Sequence, residues 1–280
     1  IPRPWITIRL GYLNLGRIGT LYSVLWYLSE YSGGKHNRRF FDIFYLLPHS
    51  PISNQQWLKI LRRHLCICPL NKLAHTVSKL NSFLPGSAAH VIEYPHPPRC
   101  DTFKYVLAQD KPLFHFTPEE EIFGQKMLQG LGIPRKASFV CFHTRDAAFL
   151  ETYFSGQDWT YHDYRDTSIR NYRAAVENLV DKGYFAIRMG TVVKEKFTSN
   201  NPAIIDYATN GKRTDFFDIY LGAKCKFFLG SDSGITIIPE AFKRPIVYAN
   251  WVSIQLLPAE YYHQGLIIMK KWYFLKEQRL

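Results

Sequence analysis

Short apolar runs alternate along the chain with longer stretches whose apolar residues recur at helical spacing. "WITIRLGYL" predicts a strand, "NLGRIG" a turn, and "TLYSVLWYLSEYSGG" a helix closed by Gly33. "FDIFYLLP" predicts a second strand, ended by Pro48, and Ser53 is placed to cap a helix over "NQQWLKILRRHL". "CICP" is a candidate third strand, "KLAHTVSKLNSFL" a third helix and "HVIEYP" a further strand, followed by the loop "HPPRCD". Around residues 95–137 the pattern breaks. Within that break Thr117, Pro118 and Glu120 compose a capping box with proline at the first helical position.

Alternation then resumes. "SFVCF" predicts a strand. Ser168 opens a helix whose inner face is Ile169, Tyr172, Val176 and Leu179, and Gly183 ends it. "YFAIRMG", "AIIDYA", "CKFFLGSDSG" and "PIVYANW" predict strands, with helices over "DFFDIYLGAK" and "ITIIPEAFK". Strands that alternate with helices make parallel α/β sheets. Two such series predict two Rossmann-like domains facing across a cleft, residues 1–115 and 116–280.

With 280 residues, 46% of them apolar and 21% charged, the chain is globular. No apolar run approaches the roughly 18 residues of a membrane span, and the N-terminal segment does not read as a signal peptide. Cysteines at 66, 68, 100, 141 and 225 are odd in number and scattered, which predicts free thiols in a reducing cytoplasm. The net charge of +12 is uneven: residues 1–112 hold 14 Lys and Arg against 5 Asp and Glu, residues 113–280 hold 21 against 18. Such a field favours an anionic partner: a phosphorylated substrate, nucleic acid or an anionic membrane face. Lys59, Arg62 and Arg63, read with Lys35, Arg38 and Arg39 upstream, suit a phosphate or membrane contact, or a solvated helix face.

Ligands of open α/β sheets bind beyond the carboxyl ends of the strands. That rule selects "NLGRIG", "HTRD", "RMG" and "GSDSG". In "GSDSG", the small residues Gly230 and Gly234 admit close backbone approach and the next helix offers free N–H groups. Ser231 and Ser233 add hydroxyls; Asp232 suits a sugar hydroxyl or the orientation of a neighbour. In "HTRD", Arg145 can grip a diphosphate in bidentate fashion, His143 can donate to the phosphate or a sugar hydroxyl, and Asp146 can orient Arg145 or act as a base. Arg188 and Gly190 end another apolar strand, and either a diphosphate or a carboxylate at the core edge suits Arg188. Arg165 and Asp166 reach a cleft, or Asp166 and Ser168 cap a helix. Asn14, Gly16, Arg17 and Gly19 compose an acceptor or phosphate loop, without the full dinucleotide fingerprint. No P-loop, nucleophile elbow, H-E-x-x-H or RNA-binding aromatic motif occurs. The reading is therefore of no metal and no nucleic acid.

"KFFLGSDSGITIIPEAFKRPIVY" resembles the donor-binding segment of two-domain GT-B glycosyltransferases, the heptosyltransferases among them. "HTRD" is similar to the His-x-Arg motif of fucosyltransferases of the O-fucosyltransferase type. "FHTRD", "YRDTSIRNY", "GYFAIRMG" and "DFFDIYLGAKCKFFLGSDSG" together look like a bacterial glycosyltransferase family of surface-carbohydrate gene clusters. The match covers roughly residues 138–250; over 5–30 it rests only on "GRIG". The resemblance implies a nucleotide-diphosphate sugar as co-substrate, no cofactor, and a glycan, lipid-linked or protein acceptor. It implies a cytoplasmic enzyme, peripheral at the inner face of the cell membrane. Arg145 matches the phosphate-binding arginine, His143 the motif histidine, and Asp232, Ser233 and Gly234 the donor loop. Where heptosyltransferases carry an Asp as base, this chain has Thr20, so Asp146, a first-domain His such as His49, and the acceptor itself stay open for that role.

Overall fold

A computed structural model describes residues 6–30, 39–93, 111–252 and 265–271. Gly33, Lys35, Arg38 and Cys100 lie outside the described residues. The chain divides into two compact units, Ile1–Gln109 and Asp110–Leu280.

In the first unit β1 (Thr7–Leu13) and β2 (Phe40–Leu46) pair in parallel, Thr7 opposite Phe40 through Leu13 opposite Leu46. The expected strand at "CICP" is reduced to a parallel bridge between Ile67 and Phe44, and the described part of "HVIEYP", residues 90–93, makes a bridge between Val91 and Leu10. Helix α1 spans Tyr22–Glu30, α2 Gln55–Leu61 and α3 Asn71–Asn81. Asn54, not Ser53, caps α2: its side chain accepts the Trp57 N–H at 3.0 Å, while the Ser53 N–H is spent on the Leu15 carbonyl. Leu13, Leu25, Phe44, Trp57, Ile60 and Leu61 make the core. The strand register also brings a charge pair into it. Arg9 lies opposite Asp42, donating Nε and Nη2 to the two carboxylate oxygens at 2.7 and 2.6 Å, and Tyr27 donates its hydroxyl to the same carboxylate.

The second unit opens on α4 (Pro118–Gly130). The capping box expected from Thr117 and Glu120 is formed, with both reciprocal hydrogen bonds made. Gly124 in α4 is a close approach: a Cβ there would lie 2.3 Å from the Tyr220 ring. Strands β3 (Phe139–Phe142), β4 (Phe185–Arg188), β5 (Ile204–Asp206), β6 (Phe228–Gly230), β7 (Ile246–Trp251) and β8 (Leu266–Met269) form one parallel sheet in the order β5-β4-β3-β6-β7-β8. The order is that of a doubly wound fold, with helices on both faces. Its strands are apolar on both sides for that reason. Phe139 and Cys141 of β3 pack into one core layer, Val140 and Phe142 into the other.

Helix α5 spans Ala148–Tyr153, α6 Arg173–Asp181, α7 Asp215–Lys224 and α8 Ile237–Ala241. Ser168 caps as expected, although what it opens is a single 3-10 turn, Ile169–Tyr172, that runs on into α6. Ile169, Tyr172 and Val176 are buried, and Gly183 turns the chain after α6 at φ +88°. Helix α5 and strand β8 were not anticipated from the sequence. Both are short, six and four residues, too few for a clear period.

Candidate functional site

The sheet of the second unit reverses direction of winding between β3 and β6. From β3 the chain moves outward through β4 to β5, and from β6 it moves the other way to β7 and β8. At this switch point the loops that leave the two strands must diverge, which opens a crevice at their carboxyl ends. "HTRD" leaves β3 and "SDSG" leaves β6, so the fold brings together the two motifs that sequence spacing keeps 86 residues apart.

The junction is made by main-chain groups. The His143 N–H donates to the Leu229 carbonyl at 2.9 Å, and the Arg145 N–H donates to Ser231 Oγ at 2.7 Å. Ser231 is fully buried, so its hydroxyl stitches the two loops together. That bond occupies a hydroxyl expected from the sequence to face a ligand. Arg145 is 7% exposed. Its Nη1 donates to the His162 carbonyl at 3.1 Å and pairs with the Asp166 carboxylate. Asp166, rather than Asp146, therefore orients Arg145. Burial first, and Arg165 next, pull the Arg145 pKa down; Asp163, Asp232 and Asp146 oppose them.

Asp146 is engaged elsewhere. One carboxylate oxygen accepts the Ala148 N–H and the other the Lys194 N–H, each at 3.0 Å. It pins the start of α5 to the loop after β4. Arg165 reaches Asp232 at 3.5 Å, so the Asp232 carboxylate meets a guanidinium. Among the described residues Ser233 Oγ has no hydrogen-bond partner. Ser233 precedes a 3-10 turn, Gly234–Thr236, whose Thr236 donates to the Ser233 carbonyl. The helix beyond that turn, α8, has only five residues, so its dipole adds little to the turn's own N–H groups.

Arg188 is 2% exposed and pairs with Asp206 at 3.2 Å, its neighbour in the β4–β5 register, and also donates to the Glu195 carbonyl. Of its two sequence-level readings, the carboxylate at the core edge is the one found. His143 sets Nδ1 3.0 Å from the Met189 carbonyl. A carbonyl only accepts, so Nδ1 carries the proton. Burial lowers the histidine's pKa, which keeps it neutral near pH 7 and leaves Nε2 an acceptor. With Nδ1 on that carbonyl, donation from His143 to a phosphate or a sugar hydroxyl, as expected from the sequence, needs a proton on Nε2 as well.

Beside Arg188 and Asp146 lies a hollow of about 280 Å³, lined also by Thr144, Asp166, Thr167 and Lys194. Residues 230–234 do not line it. Thr144, Lys194 and Glu195 went unnoticed in the sequence, although Lys194 and Glu195 follow "RMG" and the strand-end rule extends to them. The loop that carries them turns at Gly190, φ +156°. A Cβ there would lie 2.7 Å from Val193 Cγ1 and 3.9 Å from His143 Nδ1. Gly190→Ala is expected to destabilise the second unit by about 1–3 kcal/mol, seen as an earlier midpoint in denaturant unfolding. A midpoint equal to wild type would show the loop yields freely.

In the first unit, Asn14 Oδ1 accepts the Gly16 N–H at 3.1 Å, and Thr20 Oγ1 lies 2.6 Å from the carbonyl oxygens of both Asn14 and Arg17. Asn14, Gly16 and Arg17 thus belong to a turn closed on itself, which leads into a 3-10 segment over Ile18–Leu21 that contains Gly19. His49 is exposed and sits at φ 66°, a left-handed conformation uncommon outside glycine. No cluster of three or more His, Cys, Asp or Glu able to hold a metal occurs among the described residues.

No family model matches the sequence, and no curated protein matches it. Solved structures do match in fold. The glycosyl transferase family 9 protein from Veillonella parvula aligns over 94% of this chain and 86% of its own, with TM-score 0.59 and 10% identity. The E. coli ADP-heptose lps heptosyltransferase II aligns over 94% of this chain and 90% of its own, with TM-score 0.57 and 14% identity. At such identities the likeness is one of architecture: this chain is a mixed α/β protein with parallel sheets, similar in fold to glycosyltransferases of the heptosyltransferase type.

Proposed function

We propose that the chain is a metal-independent glycosyltransferase of GT-B type. It moves a sugar from a nucleotide-diphosphate donor to a glycan, lipid-linked or protein acceptor. The observation that carries this reading is the hydrogen bond from the Arg145 amide to Ser231 Oγ at 2.7 Å, which holds both loops of the switch point together. Arg165 stands close enough there to add to the burial that lowers the Arg145 pKa. Paired cations of that kind suit a pyrophosphate, which would draw Arg145 from Asp166 and Arg165 from Asp232.

In this reading residues 116–280 bind the donor, and residues 1–115 serve the acceptor with the loop of Asn14, Gly16, Arg17 and Gly19. The acceptor hydroxyl oxygen attacks the anomeric carbon as the bond from that carbon to the diphosphate oxygen breaks. The nucleoside diphosphate leaves with the bonding pair, and configuration at the anomeric carbon inverts. Arg145 and Arg165 stabilise the charge that develops on the leaving group, the task a divalent cation performs in other transferases. The neutral Nε2 of His143 accepts a hydrogen bond from a sugar hydroxyl, or the acceptor's proton. Asp146, with both oxygens on main-chain amides, acts as a positioning residue. Ser233, Gly234 and Gly190 line the donor's approach through their backbone.

Thermal-shift measurements against a panel of nucleoside diphosphates and their sugars test the reading. One or more are expected to raise the midpoint, with stabilisation growing with the logarithm of ligand concentration. Chelation by EDTA is expected to leave that rise, and turnover, unchanged. If no nucleoside diphosphate moves the midpoint, the assignment fails. Binding without any release of nucleoside diphosphate from its sugar would favour the rival, a non-catalytic nucleotide- or glycan-binding module.

A further inference from the structure

Helix α3 of the first unit is amphipathic in the wrong sense for a water-facing helix. The residues it turns toward the sheet are small or polar: Ala74 is buried, and Asn71, His75 and Ser78 are half-buried. Asn71 Oδ1 accepts the Leu46 N–H of β2 at 2.8 Å. The apolar residues point away from the protein. Leu73 is 58% exposed, Val77 46% and Leu80 61%. Their spacing of four and three residues puts them on one stripe. Leu70 before the helix and Phe83 and Leu84 after it extend the stripe, at 61, 84 and 61% exposed. A surface helix of a soluble domain directs its apolar stripe at the core.

The charges around the stripe identify what covers it. From Ile43 to Ile92 the sequence contains no Asp or Glu, and the same segment carries Lys59, Arg62, Arg63, Lys72 and Lys79. At about 100° per residue, Lys72 and Lys79 sit together roughly a third of a turn from the centre of the stripe. Both are exposed, as are Arg62 and Arg63 at the end of α2. An apolar ridge bordered by lysines, in a segment of sequence without carboxylates, complements a surface that is apolar within and anionic at its rim. A bilayer with acidic headgroups has that form. We infer that α3 and the turn at residues 82–86 form a docking surface for an anionic membrane. The helix lies in the interface plane, Leu73, Val77, Leu80 and Phe83 enter the acyl boundary, and Lys72 and Lys79 stay at headgroup level.

The inference rests on the first unit alone, and its test needs no nucleotide, so it can fail while the transferase reading stands. The full chain is sedimented with vesicles of equimolar phosphatidylcholine and phosphatidylglycerol, and with vesicles of phosphatidylcholine alone. The chain is expected to bind the anionic vesicles, less so at high salt, and to leave the neutral ones largely unbound. Leu73→Ser, Val77→Ser and Leu80→Ser combined alter only exposed positions, so circular dichroism should match wild type while partitioning falls about a hundredfold. Lys72→Gln with Lys79→Gln is expected to weaken binding to anionic vesicles about thirtyfold. Wild-type chain that ignores anionic vesicles overturns the inference, and so does a triple variant that binds them as wild type does. A wild-type dimer that the triple variant renders monomeric, without vesicle binding, assigns the stripe to a second copy of the chain instead.

Discussion

Replacing Arg145 by alanine is expected to slow the release of nucleoside diphosphate from its sugar by about 100- to 1,000-fold. The guanidinium is the buried cation of the switch point, shared between the His162 carbonyl and Asp166. A group that acts on charge as it develops in the transition state affects turnover more than ground-state binding. The donor's affinity, measured by titration calorimetry, should therefore weaken by much less than turnover does. The fold should survive, because the contact with Ser231 comes from the Arg145 main chain, which alanine retains. Arg145→Lys keeps the charge and loses the planar fork, and should fall between the two. Turnover within a few-fold of wild type in Arg145→Ala would remove the residue from the reaction.

Asp42→Ala should have the largest effect on stability. The Asp42 side chain is 3% exposed and takes two hydrogen bonds from Arg9, whose side chain is 13% exposed, and one from Tyr27. Removal takes two hydrogen bonds from a guanidinium with little access to water and one from the buried Tyr27 hydroxyl. Breaking a buried pair from one side costs about 3–5 kcal/mol. For a unit of this size that is a fall of more than about 10 °C in the midpoint. Scanning calorimetry resolves it if the two units melt separately. Replacing Arg9 and Asp42 together with apolar residues should recover most of the loss, since no half of the ion pair is then buried without the other. An unchanged midpoint in Asp42→Ala would mean that water reaches the pair.

The pair also shows where the sequence stops being informative. "WITIRLGYL" reads as an apolar strand with one arginine, and "FDIFYLLP" as another with one aspartate. Nothing local links them. They meet because the parallel register sets Arg9 opposite Asp42. The strand-end motifs were easier to find, because a polar cluster that interrupts a buried apolar run is visible in one dimension. Its internal wiring was not. "HTRD" suggested that Arg145 and Asp146 pair as neighbours, yet adjacent side chains leaving a strand diverge. Arg145 turns to Asp166, and Asp146 turns to the amides of Ala148 and Lys194. The helix over "KLAHTVSKLNSFL" was correctly placed, but its periodicity does not say which way the stripe faces.

What the sequence determined by itself was whatever depends on near neighbours: the parallel α/β class from alternating periods, the capping box at Thr117, the turn at Gly183, and the strand ends that carry His143, Arg145, Arg188 and Asp232. Only the tertiary structure decided how those ends are wired. It placed β3 beside β6, set Nδ1 of His143 on the Met189 carbonyl, confined Ser231 to the core and turned the leucines of α3 to the outside. The physical reason is that hydrogen bonds and burial act over a few ångströms in space. Residues far apart along the chain become partners only when strand order and register bring them within that distance.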